Sequence, residues 1–213
     1  MEYRVQIVCL DLEGVLIPEM WILVAEATGT EELRLTTRDI ADFDALMRHR
    51  IDILRRRGIT LTDIQEITKD TEPLPGAIDF LHRLRRCGQV AILSDTFVQF
   101  VQSVMARFDY PLLLCNELVS DADGSVTDYR LRQTDGKRRA VEAFRDLNLH
   151  VQAVGDSFND ISMLRAAHRG FLFRPSTAVS GAHPDLVRTD DHDELLRAIK
   201  AVGSEEPATL NSE

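Results

Sequence analysis

Cysteine is scarce in this chain: Cys9, Cys87 and Cys115 are an odd number at wide spacing. They lie in apolar strand-like or helix-end contexts, which argues against a disulfide framework and for reduced, mostly buried thiols. Basic charge is also short, with 25 basic residues against 35 acidic and a net charge of −10. Such a surface repels polyphosphate backbones and anionic lipid, so nucleic acid is not an expected partner. No run is long and apolar enough to span a bilayer, so a membrane protein is not expected either. The opening residues, MEYRVQIVCL, lack the basic start, long apolar middle and cleavage site of a secretion signal, and residence in the cytoplasm is expected. A Gly-rich dinucleotide fingerprint is missing, and the six histidines, His49, His82 and His168 among them, show no metal-ligand spacing. Nothing points to NAD or ATP.

What is present suits a soluble domain with an inserted subdomain: 213 residues, 44% hydrophobic and 28% charged. Short apolar runs with a β-branched bias recur and stop abruptly at polar residues. Val5 to Leu10 ends at Asp11, Val90 to Leu93 at Ser94-Asp95, Leu112 to Cys115 at Asn116, and Val151 to Val154 at Gly155-Asp156. Helical patterns lie between them, at Ala77 to Arg86, Phe97 to Phe108 and Lys137 to Leu147, the last with Ala140, Val141, Phe144 and Leu147 on one stripe. Alternating strand and helix predict an α/β fold with a doubly wound parallel sheet.

Two segments break the rhythm. From about Ile17 to Leu74 amphipathic helices follow one another without a strand, which predicts an inserted helical cap (residues 17–74) on an α/β core (1–16 and 75–202). LVSDADGSVTDYRLR, with Asp123-Gly124 at its centre, reads as a β-hairpin near the sheet edge. The acidic tail from Gly203 to Glu213 is expected to fray.

Open α/β sheets bind ligands beyond the carboxyl ends of their strands. There the chain places Asp11 and Glu13, then Ser94-Asp95-Thr96, then Gly155-Asp156-Ser157-Phe158-Asn159-Asp160. Converging carboxylates repel one another unless a cation sits among them, and hard oxygen ligands select magnesium. Taken singly, each aspartate has a structural alternative, as a helix cap or Asx turn. In the intervening helices Arg50 falls four residues from both Leu46 and Leu54, on the inward stripe, with Phe43 about two turns earlier on the same side. It faces either a ligand or a neighbouring acid such as Glu66. Glu19, behind Pro18, equally suits the first turn of a helix. Trp21, Phe97 and Phe100 read as packing rather than as a stacking platform.

Four motifs, DLEGV at Asp11, SDT at Ser94, Lys137, and GDSFND at Gly155, resemble in order those of the haloacid dehalogenase-type phosphotransferases, over almost the whole chain. Within that superfamily the sequence is similar to the phosphoserine phosphatases, and DLEGV followed by Pro18-Glu19 resembles their phosphoserine:homoserine phosphotransferase branch. The resemblance implies a Mg2+-dependent enzyme that forms an aspartyl-phosphate on Asp11. It implies metal held by Asp11, the Glu13 carbonyl and Asp156, and a phosphate cradle of Ser94 and Lys137 with Asp95 and Asn159. Thr96 and Asp160 are secondary members of the same set. Glu13 would serve as proton donor and then base, while Arg50 and Glu19 would hold the carboxylate and ammonium of L-phosphoserine, with Phe43 alongside. The commonest family pattern has aspartate where this chain has Glu13, so the acceptor, water or homoserine, is left open. Two rival readings are a phosphatase of another small ester and a receiver-like phospho-aspartate signalling domain. A monomer and a homodimer are both compatible with the sequence.

Overall fold

The computed structural model describes residues 6–36, 39–40 and 42–202. Val5 and the tail from Gly203, to which expectations were attached, lie outside them. The first strand, β1 (Gln6–Leu10), is buried on both faces, as an apolar run without alternation requires. Val8 and Leu10 enter one hydrophobic cluster and Ile7 and Cys9 the other, so the two clusters lie on opposite sides of the sheet.

After β1 come α1 (Met20–Thr28), a 3-10 turn (Glu31–Arg34), α2 (Phe43–Arg57) and α3 (Leu61–Thr68). The local sequence explains their limits. Asp42 caps α2 by accepting from the Ala45 amide at 3.1 Å, and Gly58, at φ 66°, ends it after Arg55, Arg56 and Arg57. Cations in the last turn complement the helix dipole, and the left-handed end favours glycine. Thr60 and Asp63 form a capping box for α3. Among the described residues of this insert no strand forms, as expected.

The remaining elements are α4 (Ala77–Arg85), β2 (Gln89–Phe97), α5 (Val98–Arg107), β3 (Leu112–Ser120), β4 (Val126–Arg130), α6 (Gly136–Asp146), β5 (His150–Gly155), α7 (Ile161–Ala166), β6 (Arg169–Phe173), α8 (Thr177–Ala182), β7 (Val187–Thr189) and α9 (His192–Val202). Among the described residues seven strands form one sheet in the order β4-β3-β2-β1-β5-β6-β7. Every pairing is parallel except β3 with β4. Side chains from α1, α2 and α3 share one cluster with Phe80, Phe97, Phe100 and Leu195, while α6, α7 and α8 cover the opposite face through Val141, Met163 and Val179.

Several expectations need correction. Strand β2 does not stop at Leu93 but runs to Phe97, with a register shift between Leu93 and Phe97, so Ser94-Asp95-Thr96 lie in the irregular part of the strand. The hairpin is continuous with β3, which runs on to Ser120 instead of ending at Cys115. Leu147 is 69% exposed because α6 ends at Asp146 and its capping residue points outward. Cys9 is buried, but Cys87 is exposed in the turn after α4, and Cys115 is half-buried. Among the described residues no helix is long and apolar enough to cross a membrane.

Candidate active site

The strand ends converge on Asp11, which is 4% exposed. Its amide donates to the Val154 carbonyl at 2.9 Å, extending the β1–β5 ladder one residue beyond Leu10. Asp11 Oδ1 accepts from the Leu12 amide at 2.7 Å, and Oδ2 lies 3.0 Å from Lys137 Nζ. Lys137 comes from the first turn of α6, where a cation opposes the helix dipole, and it is only 5% exposed. Three carboxylates offset that double penalty: Asp160 at 2.7 Å, Asp11 at 3.0 Å and Asp95 at 3.5 Å. Burial works against the charge of Lys137, yet Asp11, Asp160 and Asp95 hold its pKa well above the usual lysine value.

Asp160, fully buried, organises the loop after β5. Its Oδ2 accepts from the amides of Asp156 at 3.0 Å and Ser157 at 3.1 Å and from the Ser157 hydroxyl at 3.1 Å. Its Oδ1 accepts a hydrogen bond from Lys137 Nζ at 2.7 Å. Two glycines make room. A Cβ on Gly155 would fall 2.3 Å from Asp160 Cβ, and one on Gly14, at φ +78°, would fall 2.6 Å from the Asp156 carboxyl carbon.

Carboxylate oxygens of Asp11, Asp156 and Asp160 lie within 4.8 Å of one another. Both oxygens of Asp160 accept hydrogen bonds, and both of Asp11 lie against donors, the Leu12 amide and Lys137. Burial, then Asp160 and Glu19, push the Asp156 carboxyl up to about 7, and burial with Asp160 raises Asp11 well above the carboxylate range despite Lys137. A close set of hard oxygens disfavoured as anions is chemically suited to a hard divalent cation.

The SDT residues, from which a phosphate cradle is expected, lie beside them. Ser94 Oγ, buried, accepts from the Thr96 amide at 3.3 Å, and the Asp95 carboxylate accepts from Asn159 Nδ2 at 3.1 Å. Asn159 is also bonded to the Ser157 hydroxyl. Thr96 Oγ1 is buried without a partner among the described residues. Asn116 was read only as a strand terminator. It is buried, donates to the Asp95 carbonyl at 3.0 Å and accepts from the Arg132 amide at 3.1 Å, tying the cradle to the far end of the hairpin.

From the insert, Glu19 and Arg50 face Glu13. The Glu13 carboxylate accepts from the Met20 amide at 2.8 Å, at the start of α1. Glu19, the residue before that helix, makes no capping bond of its own. Although Glu19 as a whole is open to solvent, its carboxyl is raised to about 7 by desolvation and by Glu13, with Arg50 opposing. Arg50 is inward, as its spacing implied, and 6% exposed; burial lowers it to about 10 against the pull of Glu13 and Glu19. It does not pair with Glu66, which binds Lys69 instead. Phe43 packs edge-on against Tyr129, ring centroids 5.7 Å apart, at the seam between α2 and the hairpin. Trp21, read as packing, does pack on Phe100, but it also lies 4.5 Å from the Arg50 guanidinium carbon.

A carboxylate-bearing loop at the end of β1, a buried lysine and a second carboxylate loop after β5 thus meet at one end of the parallel strands. The family model for haloacid dehalogenase-like hydrolases matches residues 5–168, and the chain belongs to that family. It is 47% identical over 205 residues to the phosphoserine phosphatase of Pseudomonas syringae pv. tomato, covering 96% of this chain and 86% of the relative. It is equally 47% identical over 192 residues to phosphoserine phosphatase ThrH of Pseudomonas aeruginosa, covering 90% and 94%. Among solved structures, a phospho-aspartyl intermediate analogue of phosphoserine phosphatase superposes with a TM-score of 0.76 over 92% of this chain and 99% of that one, at 21% identity. The receiver-like alternative does not survive the family match.

Proposed function

We propose that the chain is a Mg2+-dependent phosphotransferase acting on L-phosphoserine through an aspartyl-phosphate on Asp11, with water or homoserine as acceptor. The observation that carries this reading is the position of Lys137: buried, 3.0 Å from Asp11, on the core side of a site whose other wall presents Glu13, Glu19 and Arg50. The identity to two phosphoserine phosphatases over most of their length supports the substrate assignment.

In this reading Asp11 Oδ attacks phosphorus in line, and the bond from phosphorus to the serine oxygen breaks. Glu13, as the carboxylic acid, hands its proton to the departing serine oxygen. As the carboxylate it then takes a proton from the acceptor hydroxyl, which attacks phosphorus and frees Asp11. Lys137 and Ser94 hold phosphoryl oxygens, with Asp95, Asn159 and Asn116 fixing their surroundings. Asp11, the Glu13 carbonyl and Asp156 would hold the Mg2+, which neutralises charge on the phosphoryl group. The helical insert, residues 17–74, serves as the cap: Arg50 binds the substrate carboxylate, and Glu19 binds its ammonium, which restores Glu19 to the anion that burial and Glu13 otherwise disfavour.

Homoserine exceeds serine by one methylene, a difference worth only about 1–3 kcal/mol, so hydrolysis accompanies transfer. Phosphorus NMR of the protein with Mg2+ and L-phosphoserine, with and without homoserine, tests the reading. Free phosphate is expected in both samples and phosphohomoserine in the second. Neither product from phosphoserine would sink it.

A further inference from the structure

We propose that Trp21 is a positioning residue for substrate selection: its indole face sets the plane of the Arg50 guanidinium and thereby decides how well a carboxylate-bearing phosphate ester is held. The inference rests on the reading of Arg50 as the group that binds the substrate carboxylate.

A buried guanidinium ordinarily has a carboxylate partner, since an unpaired buried charge is costly. Arg50 has none within ion-pair distance among the described residues. It is held instead by three uncharged groups: the Trp21 ring, 4.5 Å from its central carbon; the Leu35 carbonyl, which accepts from Nη2 at 2.7 Å; and the Met47 sulfur, 3.8 Å from Nη1. Its Nε is buried and has no hydrogen-bond partner. One face of the fork and both of its terminal nitrogens are therefore held by uncharged groups while Nε keeps an unused donor, which suits a group awaiting a ligand carboxylate. The ring that supports it is itself anchored on the core. Trp21 packs edge-on against Phe100 at 4.9 Å and Phe97 at 6.4 Å, and Phe97 ends the strand that carries Ser94, Asp95 and Thr96. One aromatic stack thus spans from the phosphate cradle to the arginine and sets their separation, the dimension by which a site measures an amino-acid phosphate.

Steady-state kinetics of W21F, W21L, R50A and the W21L/R50A double variant, on L-phosphoserine and on O-phosphoethanolamine, which keeps the ammonium but lacks the carboxylate, test the proposal. W21L should raise KM for phosphoserine about tenfold with a much smaller change in kcat, and leave KM for phosphoethanolamine unmoved. W21F, which keeps an aromatic face, should recover most of the loss, and W21L should add nothing on the R50A background. An equal rise for both esters, an unchanged KM, or a full effect without Arg50 would overturn it. An R50A protein with normal KM for phosphoserine would instead remove the Arg50 reading beneath it, a distinct failure. Because Trp21 is the single tryptophan of the chain, its fluorescence gives a readout independent of turnover. L-phosphoserine added to D11N protein with Mg2+ should change the emission, and should not when R50A is added to that variant; emission indifferent to ligand in D11N would contradict the proposal.

Discussion

Asp160 touches no expected reacting atom, yet its carboxylate satisfies Lys137, two backbone amides and a hydroxyl at once. Replacing it with alanine leaves two amides without their acceptor and takes from the buried Lys137 the nearest of its three carboxylates. Asp160→Ala should cost about 3–5 kcal/mol in chemical denaturation, more than the loss of any surface ion pair in this chain. Gly14→Ala makes a narrower cut. The added methyl would crowd the Asp156 carboxyl at 2.6 Å, on a backbone at φ +78°. Far-UV circular dichroism should keep its native form while Mg2+ affinity by calorimetry drops at least about tenfold. Asp11 and Asp156 stand out in the sequence as acids at strand ends, whereas Ser94 and Lys137 are singled out only by the resemblance of their motifs. Trp21 does not stand out, because one indole at a helical position looks the same whether it meets leucine or a guanidinium.

Elements were read as well as their patterns allowed. Strand β1 and helices α4, α5 and α6 have clear apolar runs or stripes, and the insert announced itself by helical periodicity with no strand. Strands β6 and β7 and helices α7 to α9 were not anticipated: β7 has three residues and α7 and α8 six each, too short for a period to show. Asn116 shows how an element end can carry more than its type suggests, since the same side chain fastens β2 to the residues following β4. Asn116→Ala should lower kcat roughly tenfold, through a displaced Asp95 carbonyl and Ser94, with KM for phosphoserine changed less. His192 at the start of α9 is a second such fastening: stacked between Phe80 and Phe173, it lies 2.9 Å from the Val15 carbonyl in the loop after Asp11. His192→Phe keeps the stack but strands that carbonyl, and should cost about 1–3 kcal/mol in thermal or denaturant unfolding.

At the scale of the whole molecule, the carboxylate cluster makes stability depend on pH and metal together. Asp156 rises from 3.8 to about 7 and Glu19 from 4.5 to about 7 on folding without metal. The folded protein then binds protons that the unfolded chain has already released, so their contribution to stability is lost as pH climbs through that interval. A cation held by Asp11 and Asp156 reverses the penalty. The gain in Tm on adding Mg2+ should therefore be small near about pH 5 and grow to its full size above about pH 7. Asp156→Asn should flatten both the metal-free decline and the metal-dependent gain, as differential scanning calorimetry across pH would register. Against a net charge of −10, Lys137 and Arg50 are the buried lysine and arginine among the described residues, and the proposed function gives each one end of the substrate to hold.

If phosphate passes through the side chain of Asp11, protein acid-quenched within its first turnover on L-phosphoserine and Mg2+ should carry a phosphoryl group on the peptide containing Asp11, located by peptide mass spectrometry. The group should be absent in Asp11→Asn and absent without Mg2+. Phosphate release at full rate from the Asp11→Asn protein would contradict that route.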